Sequence, residues 1–296
     1  MLQNPVHEST FITMKESIIK LLIFIVFSGF CTSFPVHAQD TLDIYPSHKG
    51  ALLCWSELRT TPRLLKIYYL KINLQDPDLH LITMPGDDPD GDGPAESALT
   101  APTNLFNKYQ AIAAINANAF AGLPGTEKDT GGWYQNRPVD IQGMVVSNGK
   151  IISPLQTGRT AFWLDRNRRP HIGDPNPNDS VWQAVSDWSG LLIVNNQIIP
   201  NPGTKTLHPR TALGFDDSGN WLLFIIVDGR QPGYSEGVSL YELASIFREQ
   251  GCTQSLNLDG GGSSIMLIKQ PGKEVETLNK PSDKHHRPVP LLLGIR

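Results

Sequence analysis

Three times this chain runs apolar, turns on Asn, Asp or Gly, and runs apolar again, a pattern that favours antiparallel sheet over anything else. Met144–Ser147 and Lys150–Ser153 flank Asn148-Gly149, a pair suited to a type I′ turn because both central residues need positive φ. Leu191–Val194 and Gln197–Pro200 flank Asn195-Asn196, and Thr211–Phe215 is joined to Trp221–Val227 by Asp216–Asn220. The run WLLFIIV at 221–227 is apolar at consecutive positions, which predicts a central strand buried on both faces. Leu64–Asn73 reads as a further strand with Leu79–Met84 as its antiparallel partner, and Ala111–Ile115, Ser255–Leu258, Ser264–Ile268 and Val289–Gly294 read as strands too. Ala119–Asp140 is Gly-rich and reads as loop.

Helix is sparse. Ser239 stands three residues before Glu242 in a capping-box spacing, Leu240, Leu243, Ala244, Ile246 and Phe247 make an apolar stripe, and Gly251 is a natural stop. A second helix is expected over Thr103–Tyr109. With 40% hydrophobic and 18% charged residues there is material for a real core. The expected fold is therefore α+β: a curved, mixed, mostly antiparallel sheet with a few helices, in one domain over 64–296, with 39–63 as a lead-in.

The N-terminal 38 residues read as a signal peptide. Lys15 and Lys20 precede the apolar stretch Leu21–Phe30, and Val36-His37-Ala38 resembles a cleavage site. Met1–Thr13 reads as an upstream extension, with Met14 an alternative start. The apolar stretch is short of the roughly 20 residues a bilayer demands, so a secreted or periplasmic protein without a lasting membrane span is expected. Cys54 and Cys252 remain after the signal; a disulfide and two buried free thiols are both open. No CxxC or HxxxH spacing points to zinc. Lys plus Arg is 25 against 29 for Asp plus Glu, without a basic run, which argues against a nucleic-acid partner.

The most unusual stretch is Ser255-Leu-Asn-Leu-Asp259-Gly260-Gly261-Gly262-Ser263-Ser264. Three successive glycines are costly to order, about 0.5–1 kcal/mol each; close approach to a ligand, with N–H groups forming an anion nest, is a physical reason to keep them. A tight strand connection is the plainer alternative. No Lys follows, so the loop is not a Walker A motif. The second cluster, Asp228-Gly229-Arg230 through Tyr234-Ser235-Glu236-Gly237, follows the buried strand, and Arg230 suits bidentate recognition of a phosphate or carboxylate. The third, His208-Pro209-Arg210, opens a strand; the fourth, Asn116, follows one. Asp88-x-Asp90-x-Asp92-Gly93 begins like a calcium loop, but the twelfth position is Leu99 and prolines intervene, so a solvated acidic loop is expected.

INANAF at 115–120, VVSNGKII, HPRTALGF at 208–215, VDGRQPGYSEGVSLYELASIF and LNLDGGGSSIM, in that order, resemble the phosphodiester glycosidase family over 64–296. The first block departs from the family pattern in having Ala117, Asn118 and Ala119 before Phe120. The resemblance implies a catalytic domain that hydrolyses the bond between a sugar's anomeric carbon and a phosphodiester, a GlcNAc-1-phosphodiester-like substrate. It implies no nucleotide cofactor. By position it carries over Asn116, Arg210, Asp228, Gly229, Arg230, Ser235, Gly237, Asp259, Gly260, Gly261, Gly262, Ser263 and Ser264 as the site.

The chemistry asks for cationic forks around one negative charge, which Arg210 and Arg230 supply, with the Gly260–Gly262 loop. It also asks for a carboxylate beside an oxocarbenium-like carbon. Asp259, placed next to the glycines, is preferred; Asp228 is the alternative, and Glu236 is a possible acid. No metal ligand is assigned, although a divalent cation, calcium or magnesium, is compatible with aspartates near a phosphate. A non-catalytic module binding anionic envelope glycans, and a phosphodiesterase cutting P–O, are the competing readings.

Overall fold

The computed structural model describes residues 1, 42–43, 50–123, 125, 132–283 and 285–296. Chain contacts separate 1–38 from 39–296. The expected signal peptide falls outside the described residues, apart from Met1. No helix among the described residues is long and apolar enough to cross a membrane.

An eight-stranded sheet dominates, with strands numbered along the chain. In spatial order it holds β1 (Leu42–Asp43), β2 (Leu52–Arg59), β3 (Leu65–Asn73), β17 (Trp221–Val227), β16 (Arg210–Phe215), β18 (Gln254–Asn257), β14 (Leu191–Val194) and β15 (Gln197–Ile198). One five-stranded sheet runs β10 (Lys150–Ser153), β9 (Val145–Ser147), β13 (Val181–Ser186), β11 (Ala161–Asp165), β12 (Pro170–Gly173). A second runs β20 (Glu276–Thr277), β19 (Met266–Ile268), β6 (Ala113–Asn116), β21 (Leu291–Ile295), β4 (Leu81–Pro85). A three-stranded ribbon holds β5 (Ser97–Ala98), β8 (Pro138–Ile141) and β7 (Phe120–Gly122). The helices are α1 (Pro102–Lys108) and α2 (Leu240–Glu249). The protein is thus an α+β fold whose described ladders are all antiparallel.

Strand β17 explains the layering. Leu222, Phe224 and Ile226 point into a large core shared with Ile115, Phe162 and Leu293 of the five-stranded sheets. Leu223, Ile225 and Val227 point the other way, onto Leu243, Ala244 and Phe247 of α2. Two-residue periodicity with both faces apolar is what a strand between two layers requires. Helix α2 has the full capping box, Ser239 with Glu242, a device worth about 1 kcal/mol, and burial of a side chain such as Phe247 contributes a further 2–3 kcal/mol or so. Helix α1 covers the opposite side through Leu105 and Phe106.

The three hairpins form with the expected turns: Asn148, Asn195 and Asn196 all have positive φ. Other expectations need correction. Leu79–Met84 does not pair with β3, both of whose edges are taken, by β2 and β17; as β4 it pairs with the last strand, β21, instead. Ala119–Asp140 is not all loop, because β7 and β8 pair within it. The segment 39–63 contains β2, aligned residue for residue with β3. Cys54 and Cys252 are free thiols in separate cores on opposite faces of the large sheet, and burial pushes both up to about 12. The Asp-rich loop does not assemble a cation cage: Asp88 Oδ1 accepts from the N–H groups of Asp90 and Gly91, and Asp90 Oδ2 from that of Ala95.

Gly294 sits between β6 and β4 where a Cβ would lie 2.2 Å from the Ala113 carbonyl oxygen. Backbone cannot yield there, so Gly294→Ala is expected to cost about 2–3 kcal/mol. Thermal unfolding should show a melting temperature lower by roughly 5–10 °C.

Candidate active site

Antiparallel register brings the functional stretches to one end of the large sheet. Arg210 opens β16 opposite Val227, the last residue of β17, so Arg210 and Asp228 emerge together. Strand β18 runs against β16 with Asn257 opposite Ala212, which delivers Asp259 and the glycines to the same edge. The Leu258 N–H donates to the Thr211 carbonyl at 2.8 Å, the Gly261 N–H to that of Pro209 at 3.0 Å, and the Asp259 N–H to that of Ala117 at 2.9 Å.

Each glycine of the turn has a packing reason. A Cβ on Gly260 would stand 2.7 Å from the Pro209 carbonyl oxygen. Gly261 has φ +61° and the Arg230 Nη1 only 3.1 Å from where its Cβ would be. A Cβ on Gly262 would meet Arg287 Nη2 and Asp283 Oδ2 at 2.3 Å. Of the expected nest, the Gly261 N–H donates to a carbonyl, as do those of Ser263 and Ser264, and the Gly260 N–H favours the ionised Asp259 carboxylate. The residues after the glycines form a 3-10 turn, Gly261–Ser263.

Arg210, Arg230 and His208 lie near one another. Arg210 is 8% exposed, and its guanidinium donates to the carbonyls of Val238 at 3.2 Å and Thr206 at 3.5 Å. No carboxylate pairs with it among the described residues, and burial, with Arg230 nearby, lowers its pKa to about 10. Arg230 has φ +57°, an unusual conformation for a long side chain, and its Nη2 donates to His208 Nδ1 at 3.0 Å. Burial and then the two arginines push the His208 pKa down. Neutral His208, accepting at Nδ1, keeps its proton on Nε2. Gly229 and Gly237 let this corner close: a Cβ on either would press on the His208–Pro209 backbone, and Gly237 has φ +94°.

The two aspartates differ. Asp228, 1% exposed, accepts from Asn279 Nδ2 at 2.9 Å on Oδ1, and on Oδ2 from the Lys280 N–H at 2.9 Å and the Tyr234 hydroxyl at 3.1 Å. Burial raises its pKa, and those donors hold the rise back. The Tyr68 and Tyr234 hydroxyls are 3.0 Å apart, extending the chain. With both oxygens engaged, Asp228 is a brace between loops and does not fit a cation. Asp259 keeps part of its surface open although protein atoms crowd it. Burial pushes its pKa up to about 6, against a Ser263 hydrogen bond, the Arg287 charge and the Gly260 N–H. Arg287, not Arg210 or Arg230, is the cation that acts on it. Gly261 thus packs against Arg230, and Gly262 against the Arg287–Asp283 pair. Among the described residues no group of three or more His, Cys, Asp or Glu is placed to hold a metal ion.

Other expected residues are present in different roles. Asn116 Oδ1 accepts from Thr211 Oγ1 at 2.8 Å and the Ile265 N–H at 3.1 Å, and its Nδ2 donates to the Asp259 carbonyl at 2.7 Å. It ties the turn to the sheet. Ser235 Oγ donates to the Asp228 carbonyl at 2.6 Å and is buried. Ser264 Oγ is buried with no hydrogen-bond partner among the described residues. Glu236 is exposed, and its backbone carbonyl accepts from the Arg230 N–H at 3.3 Å. His208, Tyr234, Asn279, Asp283 and Arg287 were not expected. The first two lie inside the quoted motifs; the other three lie in a polar stretch, 279–287, that carries no motif of its own.

A family model described as phosphodiester glycosidase matches residues 109–296. The chain belongs to the phosphodiester glycosidase family. The SPbeta prophage-derived uncharacterized protein YomE of Bacillus subtilis (strain 168) is 40% identical over 180 residues, 59% of this chain and 22% of that protein. The N-acetylglucosamine-1-phosphodiester alpha-N-acetylglucosaminidase of Mus musculus is 27% identical over 161 residues, 47% of this chain and 31% of that protein. The chain thus spans less than a third of either relative's length. Among solved structures, the zebrafish N-acetylglucosamine-1-phosphodiester alpha-N-acetylglucosaminidase catalytic domain shares the fold with TM-score 0.63 at 18% identity, covering 87% of this chain and 88% of that one. A hypothetical protein from Synechocystis does so with TM-score 0.59 at 13% identity, covering 83% and 62%.

The two aspartates should respond oppositely to amidation. Asp228→Asn turns a fully engaged acceptor partly into a donor facing donors, and is expected to cost about 2–4 kcal/mol. Asp259 is raised from 3.8 to about 6. The folded state therefore holds its proton longer, and stability falls as pH climbs through that window, by roughly 3 kcal/mol at most. Asp259→Asn should then be more stable than the parent at pH 7–8 and no more stable at pH 4, as measured by denaturant unfolding at each pH.

Proposed function

We propose that this phosphodiester glycosidase-family protein hydrolyses the bond between the anomeric carbon of a sugar and a phosphodiester, with a GlcNAc-1-phosphodiester-like substrate. The observation that carries the reading is Arg210, a buried guanidinium with no carboxylate partner among the described residues, beside Arg230 on the glycine turn that bears Asp259. A buried cation without a counter-ion is costly, and an arriving phosphodiester supplies the missing negative charge. Arg210 and Arg230 then orient the diester, and His208 Nε2 offers a further donor.

Asp259 is the reacting carboxylate in this reading. Above its midpoint of about 6 it is ionised and stabilises positive charge developing at the anomeric carbon, or activates the water that attacks there. The leaving phosphomonoester departs readily, so exposed Glu236 has a minor part. Asp228 acts by holding Tyr234 and the 279–280 segment in place. The reading extends to a single catalytic domain over 64–296, in a protein exported to the periplasm or medium. The name and fold of the relatives support the substrate class.

Incubation with UDP-GlcNAc or a GlcNAc-1-phosphodiester, followed by ³¹P NMR, tests it. Release of a phosphomonoester, with ¹⁸O from labelled water entering the sugar, is expected. Binding without turnover would instead mean a glycan-binding module, and label in phosphate would mean P–O cleavage. Arg210→Ala and Asp259→Asn are expected to lower kcat/KM by about 10²–10³-fold or more, and kcat/KM of the parent should fall as pH drops below about 6.

A further inference from the structure

Asp283 and Arg287 pack against Gly262 of the glycine turn. Asp283 Oδ2 accepts from both Arg287 Nε at 3.0 Å and Nη2 at 2.8 Å, and the two side chains are 30% and 23% exposed. The remaining Arg287 nitrogen, Nη1, lies 3.4 Å from Ser263 Oγ. The Ser263 hydroxyl and the Arg287 charge both favour the ionised Asp259 carboxylate, holding its pKa down against burial. The absent Cβ of Gly262 leaves the space that the Arg287–Asp283 pair fills. Four residues from two separate segments therefore make one line: Asp283, Arg287, Ser263, Asp259.

We propose that Arg287, clamped by Asp283 across Gly262, is the positioning residue that aims Ser263 and Asp259 into the site. This rests on the reading of Asp259 as the reacting carboxylate. An ordinary surface ion pair contributes little; this one differs because its guanidinium has a second partner in the turn. Of the other charges at this end, Arg230 and His208 lie on the Gly261 side. Arg210 is held by the Val238 carbonyl. Asp228 accepts from Asn279, which also donates to the Ser264 carbonyl. Lys280 Nζ lies over the Tyr234 ring, and His285 and His286 are exposed.

Two measurements on Arg287→Gln, Arg287→Lys and Asp283→Asn test the inference. The first needs no turnover: ¹³C NMR titration of the Asp259 carboxyl, assigned by its loss in Asp259→Asn. Arg287→Gln should raise the titration midpoint by half a pH unit or more, and Arg287→Lys and Asp283→Asn by less. The second is steady-state kinetics on a GlcNAc-1-phosphodiester. Arg287→Gln should lower kcat at least tenfold with KM within about twofold, and Arg287→Lys should recover part of the loss. An unmoved Asp259 midpoint in a folded Arg287→Gln or, if that variant does not fold, in Arg287→Met would overturn the inference even if the parent enzyme is active. If the parent turns over no substrate, the functional reading fails, and the titration alone still decides whether Arg287 governs Asp259.

Discussion

Everything at the functional end of the molecule depends on one close approach, between the glycine turn and the strand that begins at Arg210. Gly260 packs against the Pro209 carbonyl and Gly261 donates to it. That contact sets Asp259 and the start of β16 at backbone distance. A side chain at 260 would push the turn off the sheet edge, and the arginines and the carboxylate would no longer border one feature. The glycines are costly to order, and the cost is met because three layers of chain must meet where no side chain fits.

The cation that acts on Asp259 is Arg287, and neither Arg210 nor Arg230 does so. Arg230 stands against Gly261 and bonds His208, while Arg287 and Asp283 stand against Gly262 and Arg287 reaches Ser263. Direct ion pairing of Asp259 with Arg210 would neutralise both groups. Separation leaves a guanidinium without a counter-ion and a carboxylate whose ionisation is disfavoured by burial. Both are the condition expected of groups that await a ligand. The opposite condition holds at Asp228, where every oxygen is engaged and the carboxylate works as a joint between loops.

Local signals were strong enough to read much of the framework. Asn148-Gly149 and Asn195-Asn196 turned as their positive φ demands, Ser239 and Glu242 capped α2 reciprocally, and WLLFIIV lay between two layers. Long-range pairing was not legible. Leu79–Met84 follows β3 closely, yet its partner is the final strand, because β3 has both edges filled by β2 and β17. Strands β11 to β13 carry Trp163 and Trp182 among charged and polar residues and are marked by no hairpin motif. The segments holding β7 and β8 are too short, and too far apart, to show as strands before they pair.

The amino-acid order by itself determined the fold class, the capped helix, the buried central strand and the stretches that converge: His208–Arg210, Asp228–Gly237 and Asp259–Ser264. It did so because turn chemistry and hydrophobic period act over a few residues. Tertiary structure alone decided which groups are free to act. Asn116 and Ser235 tie separate segments together, the Gly261 N–H is turned to the Pro209 carbonyl, and Arg287 enters from a stretch without a motif. Hydrogen-bond saturation and burial arise between segments distant in sequence, so no local pattern encodes them.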